Sequence, residues 1–237
     1  MNCDAQTIAT ASACLLEANS PGDNAAAVIY LYGQLNPNPP MPDLIVTTPP
    51  GHAQDFGVFT YGDIPAGIAV QFNHTTTLGG FDIESGILQS IDFPNLVSVD
   101  PSNVQGGYLF FSGSSLTTIS APLLGVVGGS VNFTSNAALV TLDLSALTSA
   151  GGVFVQSNAA LTSVLIPDFL PTDGRNLLFD GNALDATSVN LVLARCVAAG
   201  VTTCTINLSG GTNSAPTGQG IIDAAALVLA GNTVTTN

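Results

Sequence analysis

The side chains able to do chemistry in this 237-residue chain are few, and their spacing narrows what they could do. Asp82, Glu84 and Asp92 are the nearest cluster of carboxylates, the groups a glycosidase uses in pairs to protonate a leaving oxygen and to activate water or attack the sugar. A solvated acidic face is the plainer reading of the three and the one expected. The loop from Asp168 to Asp173 offers oxygen ligands for calcium, yet it has neither EF-hand nor other calcium-repeat spacing. His52 and His74 stand apart from each other and from every cysteine, outside any H-x-x-x-H pattern, and read as loop or surface histidines. Neither a G-x-S-x-G elbow nor a phosphate-binding glycine loop occurs. No catalytic residue, no metal and no cofactor is therefore expected, and the chain does not read as an enzyme.

Four cysteines fall in two local pairs, Cys3 with Cys14 and Cys196 with Cys204, at spacings that match no zinc signature. Two readings stay open: small buried apolar thiols, or a Cys196 to Cys204 disulfide in an oxidising compartment. The charge balance decides more. Sixteen acidic residues face only Arg175 and Arg195, without any lysine, for a net charge of -14. Nucleic acid is excluded as a partner, because neutralising phosphates needs clustered Lys or Arg, and an anionic membrane surface is excluded for the same reason. The longest apolar stretches, Ala25 to Tyr32 and Ala224 to Ala230, fall far short of the roughly 18 to 20 residues a spanning helix needs, so no membrane insertion is expected. The start, Met1-Asn2-Cys3-Asp4, has no basic residue and no apolar run after it, so no signal peptide is expected.

The elements that must position these residues are set by an internal repeat. The pattern L-x-x-h-x-h, with h apolar, recurs as Leu88, Ile91, Phe93; Leu116, Ile119, Ala121; Leu139, Leu142, Leu144; and Leu161, Val164, Ile166, at intervals of 22 to 28 residues. It matches the strand signature of leucine-rich repeats. Between copies lie the glycine pairs Gly79-Gly80, Gly106-Gly107, Gly128-Gly129 and Gly151-Gly152, with Asp173-Gly174 in the fifth place, each followed by a second strand. Counting from the glycines puts Phe81 and Ile83, Tyr108 and Phe110, Val131 and Phe133, Val153 and Val155, and Leu177 and Phe179 on the inward face. Ser85-Gly86, Ser112-Gly113, Ser135-Asn136, Ser157-Asn158 and Gly181-Asn182 then form tight corners, where Gly and Asn tolerate positive φ and stacked asparagines can hydrogen-bond along the axis. The fold class this implies is mainly β: a leucine-rich-repeat-like right-handed solenoid with two strands per coil, a helical N-terminal module and an α/β C-terminal cap.

The same count leaves Leu109, Phe111, Phe154 and Leu178 pointing outward beside the polar Asp82 and Asn132. Apolar side chains in a row on a β-surface mark an interface, or a strip covered by another part of the same chain. The outward face of the first strands, with Ser90, Asp92, Thr118, Ser120, Thr141 and Asp143, is polar throughout.

Beyond Ala183, Asp185 can cap a helix carrying Val189, Val192, Leu193 and Cys196 on one face and ending at Gly200. A strand from Cys204 to Leu208, a helix near Gly218 to Ala230 and a strand from Asn232 to Thr236 follow. Upstream, residues 5 to 18 and 23 to 35 read as helical, and the Pro-rich run 36 to 42 stops them. The expected division is a helical anchor module with a Pro-rich linker over 1–42, an irregular or β N-terminal cap over 43–78, repeats over 79–182, and helix-strand capping repeats over 183–237.

Two segments carry a resemblance. Asn182-Ala183-Leu184, together with Leu208 to Pro216 and Thr233-Val234-Thr235-Thr236-Asn237, resembles a C-terminal motif of uncharacterised bacteriophage structural proteins. Ala13-Cys14-Leu15 to Pro21-Gly22, then Ala26 to Tyr32, resembles a short helical module of such proteins. Together they span about a third of the chain. The resemblance implies a virion component made in the host cytoplasm, in a tail, fibre or capsid-surface appendage, giving assembly contacts or host attachment. Its implied partners are further copies of itself, other virion proteins, or a host-surface glycan or protein. An extracellular leucine-rich-repeat adhesin is the alternative, and a polysaccharide-degrading appendage enzyme the third class.

Overall fold

The computed structural model describes the backbone of residues 27–32, 44–46, 54–61, 68–72, 77–86, 88–99 and 107–237, with side chains from Ser90 onward except at 100–106 and 114. In chain order the strands are β1 (Ala27–Tyr32), β2 (Leu44–Val46), β3 (Gln54–Tyr61), β4 (Ile68–Phe72), β5 (Thr77–Gly86), β6 (Leu88–Asp92), β7 (Ser98–Val99) and β8 (Leu109–Ser114). They continue as β9 (Thr118–Ser120), β10 (Val126–Thr134), β11 (Thr141–Asp143), β12 (Ser149–Gln156), β13 (Ser163–Leu165) and β14 (Asn176–Leu178). Helix α1 (Ala186–Ala199), β15 (Thr205–Asn207), α2 (Gln219–Leu229) and β16 (Thr233–Thr235) complete the chain.

Every described pairing is parallel. A large sheet runs β1-β3-β5-β7-β10-β12-β14-β15-β16, with β8 between β5 and β10, and a small sheet runs β13-β11-β9-β6-β4-β2. Their inner faces share one core. Ile91, Ile119, Leu142 and Val164 from the small sheet meet Val131, Phe133, Val153, Val155, Leu177 and Ile206 from the large one, all buried. A further buried layer, Leu96, Leu124, Leu147 and Phe169, lies just after the turns between the sheets.

The expected right-handed leucine-rich-repeat-like solenoid with two strands per coil is overturned by this arrangement, which is parallel sheets with few helices. Two observations carry the correction. First, the glycine pairs do not open the large-sheet strands. Gly79-Gly80, Gly128-Gly129 and Gly151-Gly152 lie inside β5, β10 and β12, so each strand runs through its pair, and Gly106-Gly107 precedes β8. Second, residues 27–32, expected within a helix over 23–35, form β1 paired with β3. The segment Ala-Val-Ile-Tyr-Leu-Tyr is rich in the β-branched and aromatic types that favour a pleated surface, and pairing overrides its apolar continuity as a helix signal. The other expected helix, 5–18, and the Pro-rich run lie outside the described residues. β1, before residue 42, pairs with β3, after it.

Helix α1 has the ends its sequence requires. The Asp185 carboxylate accepts from Ser188 N at 2.7 Å, and Gly200 closes the helix in the left-handed conformation at φ 65°. It buries Val189, Val192, Leu193 and Cys196 on one face. Among the described residues, no helix is long and apolar enough to cross a membrane.

Candidate contact surface

The outer face of the large sheet is built by register. Position 82 pairs with Phe110, Phe110 with Asn132, Asn132 with Phe154, Phe154 with Leu178, Leu178 with Asn207, and Asn207 with Thr235. One row of side chains therefore crosses the sheet at the strand spacing of about 4.8 Å. Phe110, Asn132, Phe154, Leu178 and Asn207 are half-buried. Phe154 folds down over Gly152, where an added Cβ would sit 3.0 Å from the ring carbon Cε2. In the next row Gln156 donates from Nε2 to Asp180 Oδ1 at 2.9 Å, and Thr134 Oγ1 donates to Asn132 Oδ1 at 2.5 Å. The face thus mixes apolar rings with amides and carboxylates that are already oriented.

Of the four residues expected on this face, Phe154 and Leu178 lie there, while Leu109 and Phe111 do not. Leu109 pairs with Phe81 and Val131 and is buried. Phe111 pairs with Ile83 and Phe133 and stacks on the Phe133 ring at 4.9 Å with planes 5° apart. Tyr108 and Phe110, expected inside, take the half-buried outer positions instead. The cause is one extra residue after the glycines: Tyr108 stands between Gly107 and Leu109 as Ser130 stands between Gly129 and Val131, the partner of Leu109, whereas Val153 follows Gly152 directly. The register between β10 and β12 shifts between Val127 and Ser130, so Gly128 and Gly129 together oppose Gly151. One extra residue reverses the alternation of everything counted from it. Gly151 tolerates this crowding only without a side chain, since a Cβ there would lie 2.9 Å from the Gly129 carbonyl oxygen.

A column of buried asparagines holds the register at the end of these strands. Asn158 Oδ1 accepts from Asn136 N at 2.9 Å, Asn182 Oδ1 from Asn158 N at 2.8 Å, and Asn213 Oδ1 from Leu184 N at 2.8 Å. Their amide groups donate to strand-end carbonyls: Asn136 to Phe111 at 3.0 Å, Asn158 to Phe133 at 2.8 Å, Asn182 to Val155 at 2.6 Å and Asn213 to Phe179 at 2.9 Å. Each asparagine is buried and satisfies backbone groups of adjacent layers, which water cannot reach. The positive φ at these corners belongs to the preceding residue, Ser135 at 60°, Ser157 at 58° and Gly181 at 72°, and not to the asparagines.

The other candidates are not gathered into a site. Position 82 and position 84 lie on β5 of the large sheet and Asp92 on β6 of the small one, so the three positions do not share a sheet. Asp173 accepts from Thr202 N at 2.7 Å, Asp168 is exposed, and among the described residues no group of His, Cys, Asp or Glu is placed to hold a metal ion. His52, His74, Cys3 and Cys14 lie outside the described residues. Cys196 and Cys204 are buried free thiols, not a disulfide. Cys204 Sγ donates to Thr172 O at 3.4 Å, and Cys196 points from α1 into the core, where burial first and the neighbouring Cys204 second push its pKa from 9.0 up to about 12. A thiol so placed stays neutral and packs as an apolar group.

No family model matches this chain, and neither a curated protein nor a solved structure matches it.

Proposed function

We propose that this chain is a non-enzymatic structural protein that works by surface contact, as a component of a bacteriophage tail, fibre or capsid-surface appendage. The observation that supports contact as its work is the outer row Phe110, Asn132, Phe154, Leu178 and Asn207, held at fixed spacing by parallel pairing and by the asparagine column behind it. Apolar rings between oriented amides on a rigid sheet suit recognition, because little side-chain freedom remains to be lost on binding. The virion setting comes from the terminal resemblance. The contact surface then meets another virion protein or a host-surface glycan or protein.

The test has two parts. Mass spectrometry of purified particles should find the chain in stoichiometric amounts, and its absence there would remove the virion setting. Phe154→Asp with Leu178→Asp should abolish incorporation or host adsorption while the thermal melt stays as in the parent. Particles that incorporate the double variant and adsorb normally would refute the contact role of this face.

A further inference from the structure

The C-terminal end differs from the rest of the molecule in charge and in exposure together. Of sixteen acidic residues only Asp223 falls after Arg195, and it is buried, with its Oδ1 accepting from Gln219 Nε2 at 2.8 Å. In a chain of net charge -14, residues 196–237 thus carry no exposed charged side chain. Helix α2 sends Leu227 into the core and packs against α1, yet it leaves Ile221, Ile222, Val228 and Leu229 between 53% and 89% exposed. Beside it β16 is the last strand of the large sheet among the described residues. Thr233 N donates to Cys204 O at 2.9 Å and Leu208 N to Thr235 O at 2.8 Å, so the backbone groups of both threonines are directed to β15. Alternate residues of a parallel strand bond to opposite sides, which turns the N–H and C=O of Val234 toward the open edge.

We propose that this end is a homotypic interface, where two copies of the chain meet across a two-fold axis. The partner's β16 pairs antiparallel about Val234, and the partner's α2 packs on the exposed face of Ile222, Val228 and Leu229. Charge selects the occupant. A second copy also carries -14, and this end brings no exposed charged side chain after Arg195 to such a contact, so a self-contact here is made without carboxylate facing carboxylate. Symmetry selects the geometry, because two identical strands related by a two-fold axis pair antiparallel, and Val234 then exchanges both bonds with its own counterpart. Head-to-tail stacking would instead set this end against the β1 end of the large sheet, which belongs to the stretch of sequence, residues 1–100, that holds ten of the sixteen acidic residues. The interface is independent of the contact role proposed for the outer face of the large sheet.

Sedimentation equilibrium on the full chain tests it. The parent should sediment as a dimer of twice 23.9 kDa. Ile222→Glu with Leu229→Glu, both exposed positions, should give a monomer with an unchanged circular dichroism spectrum. Val234→Pro removes only the outward N–H, as an edge strand tolerates, and should weaken the dimer by about ten-fold or more. Phe154→Asp should leave the dimer intact. A parent that stays monomeric at every accessible concentration, including one that instead floats with phosphatidylcholine vesicles, overturns the proposal. So does a dimer that survives both C-terminal variants, or growth past the dimer into open polymers.

Discussion

The two sheets are built from the same passes of the chain, yet they are not equivalent. The large sheet has strands such as β10 and β12, nine and eight residues long, while β9, β11 and β13 of the small sheet have three each. The large sheet continues through β14, β15 and β16 to the C-terminal end, whereas the small sheet stops at β13. Beyond that point helices α1 and α2 supply the apolar groups a small-sheet strand would have supplied. The lesson is that one side carries the register and the other only has to close the core. A short strand and a helix are interchangeable there, because Val189, Val192, Leu193 and Cys196 at helical spacing bury the same kind of surface as Leu142 or Val164 at strand spacing. The outer faces follow suit: half-buried rings and amides on the large sheet, exposed Thr118, Thr141 and Asp143 on the small one.

That asymmetry can be broken or sharpened by substitution. The largest expected loss is at Phe133, fully buried against Phe111, where Phe133→Ala should cost about 4 kcal/mol in urea unfolding. Asn158→Ala should follow at about 3 kcal/mol, because it strands the buried Asn136 N–H and the Phe133 carbonyl. Gly151→Ala should cost about 2 kcal/mol, since its neighbour is backbone and cannot step aside. On the small-sheet face, Thr141→Ala should stay within about 0.5 kcal/mol of the parent. If Thr141→Ala cost as much as Asn158→Ala, the assignment of register to the large-sheet side would be wrong.

A pH series sharpens the helix side. The folded pKa of Cys196 is raised from 9.0 to about 12, so the unfolded chain releases this proton first as pH rises. The contribution of the neutral thiol is therefore complete below pH 9.0 and is lost as pH climbs toward about 12. The melting temperature should fall across that window, and Cys196→Ala should flatten the fall. An equal slope in both proteins would show that the thiol is not buried as described.

Much of the interior was legible in the repeat. Leu116, Leu139 and Leu161, with Ile91, Ile119, Leu142 and Val164, are all buried where the L-x-x-h-x-h spacing puts them. A fourth apolar position, Leu96, Leu124, Leu147 and Phe169, is equally periodic but falls just after a turn, where apolar residues are not looked for. The asparagine column could be anticipated from Asn136, Asn158 and Asn182, although its positive φ values sit one residue earlier. The candidate contact face was half legible. Phe154 and Leu178 follow simple alternation from their glycines, while Leu109 and Phe111 are set one residue later by Tyr108, in register with Val131 and Phe133. The exposed face of α2 escaped notice because Ala224 to Ala230 reads as one apolar stretch, and a stretch does not say which side will find a partner.

By itself the sequence determined the composition of the core, the caps of α1 at Asp185 and Gly200, and an acidic chain with a single acidic side chain after Arg195. These are local or additive properties, set by side-chain type and short spacing. Tertiary structure alone decided the register, and with it which aromatic rings face solvent, which cysteines stay apart and where the sheet is left open. Register arises from hydrogen bonds between strands more than twenty residues apart, and a single extra residue reverses its sense, so no local count of residues can recover it.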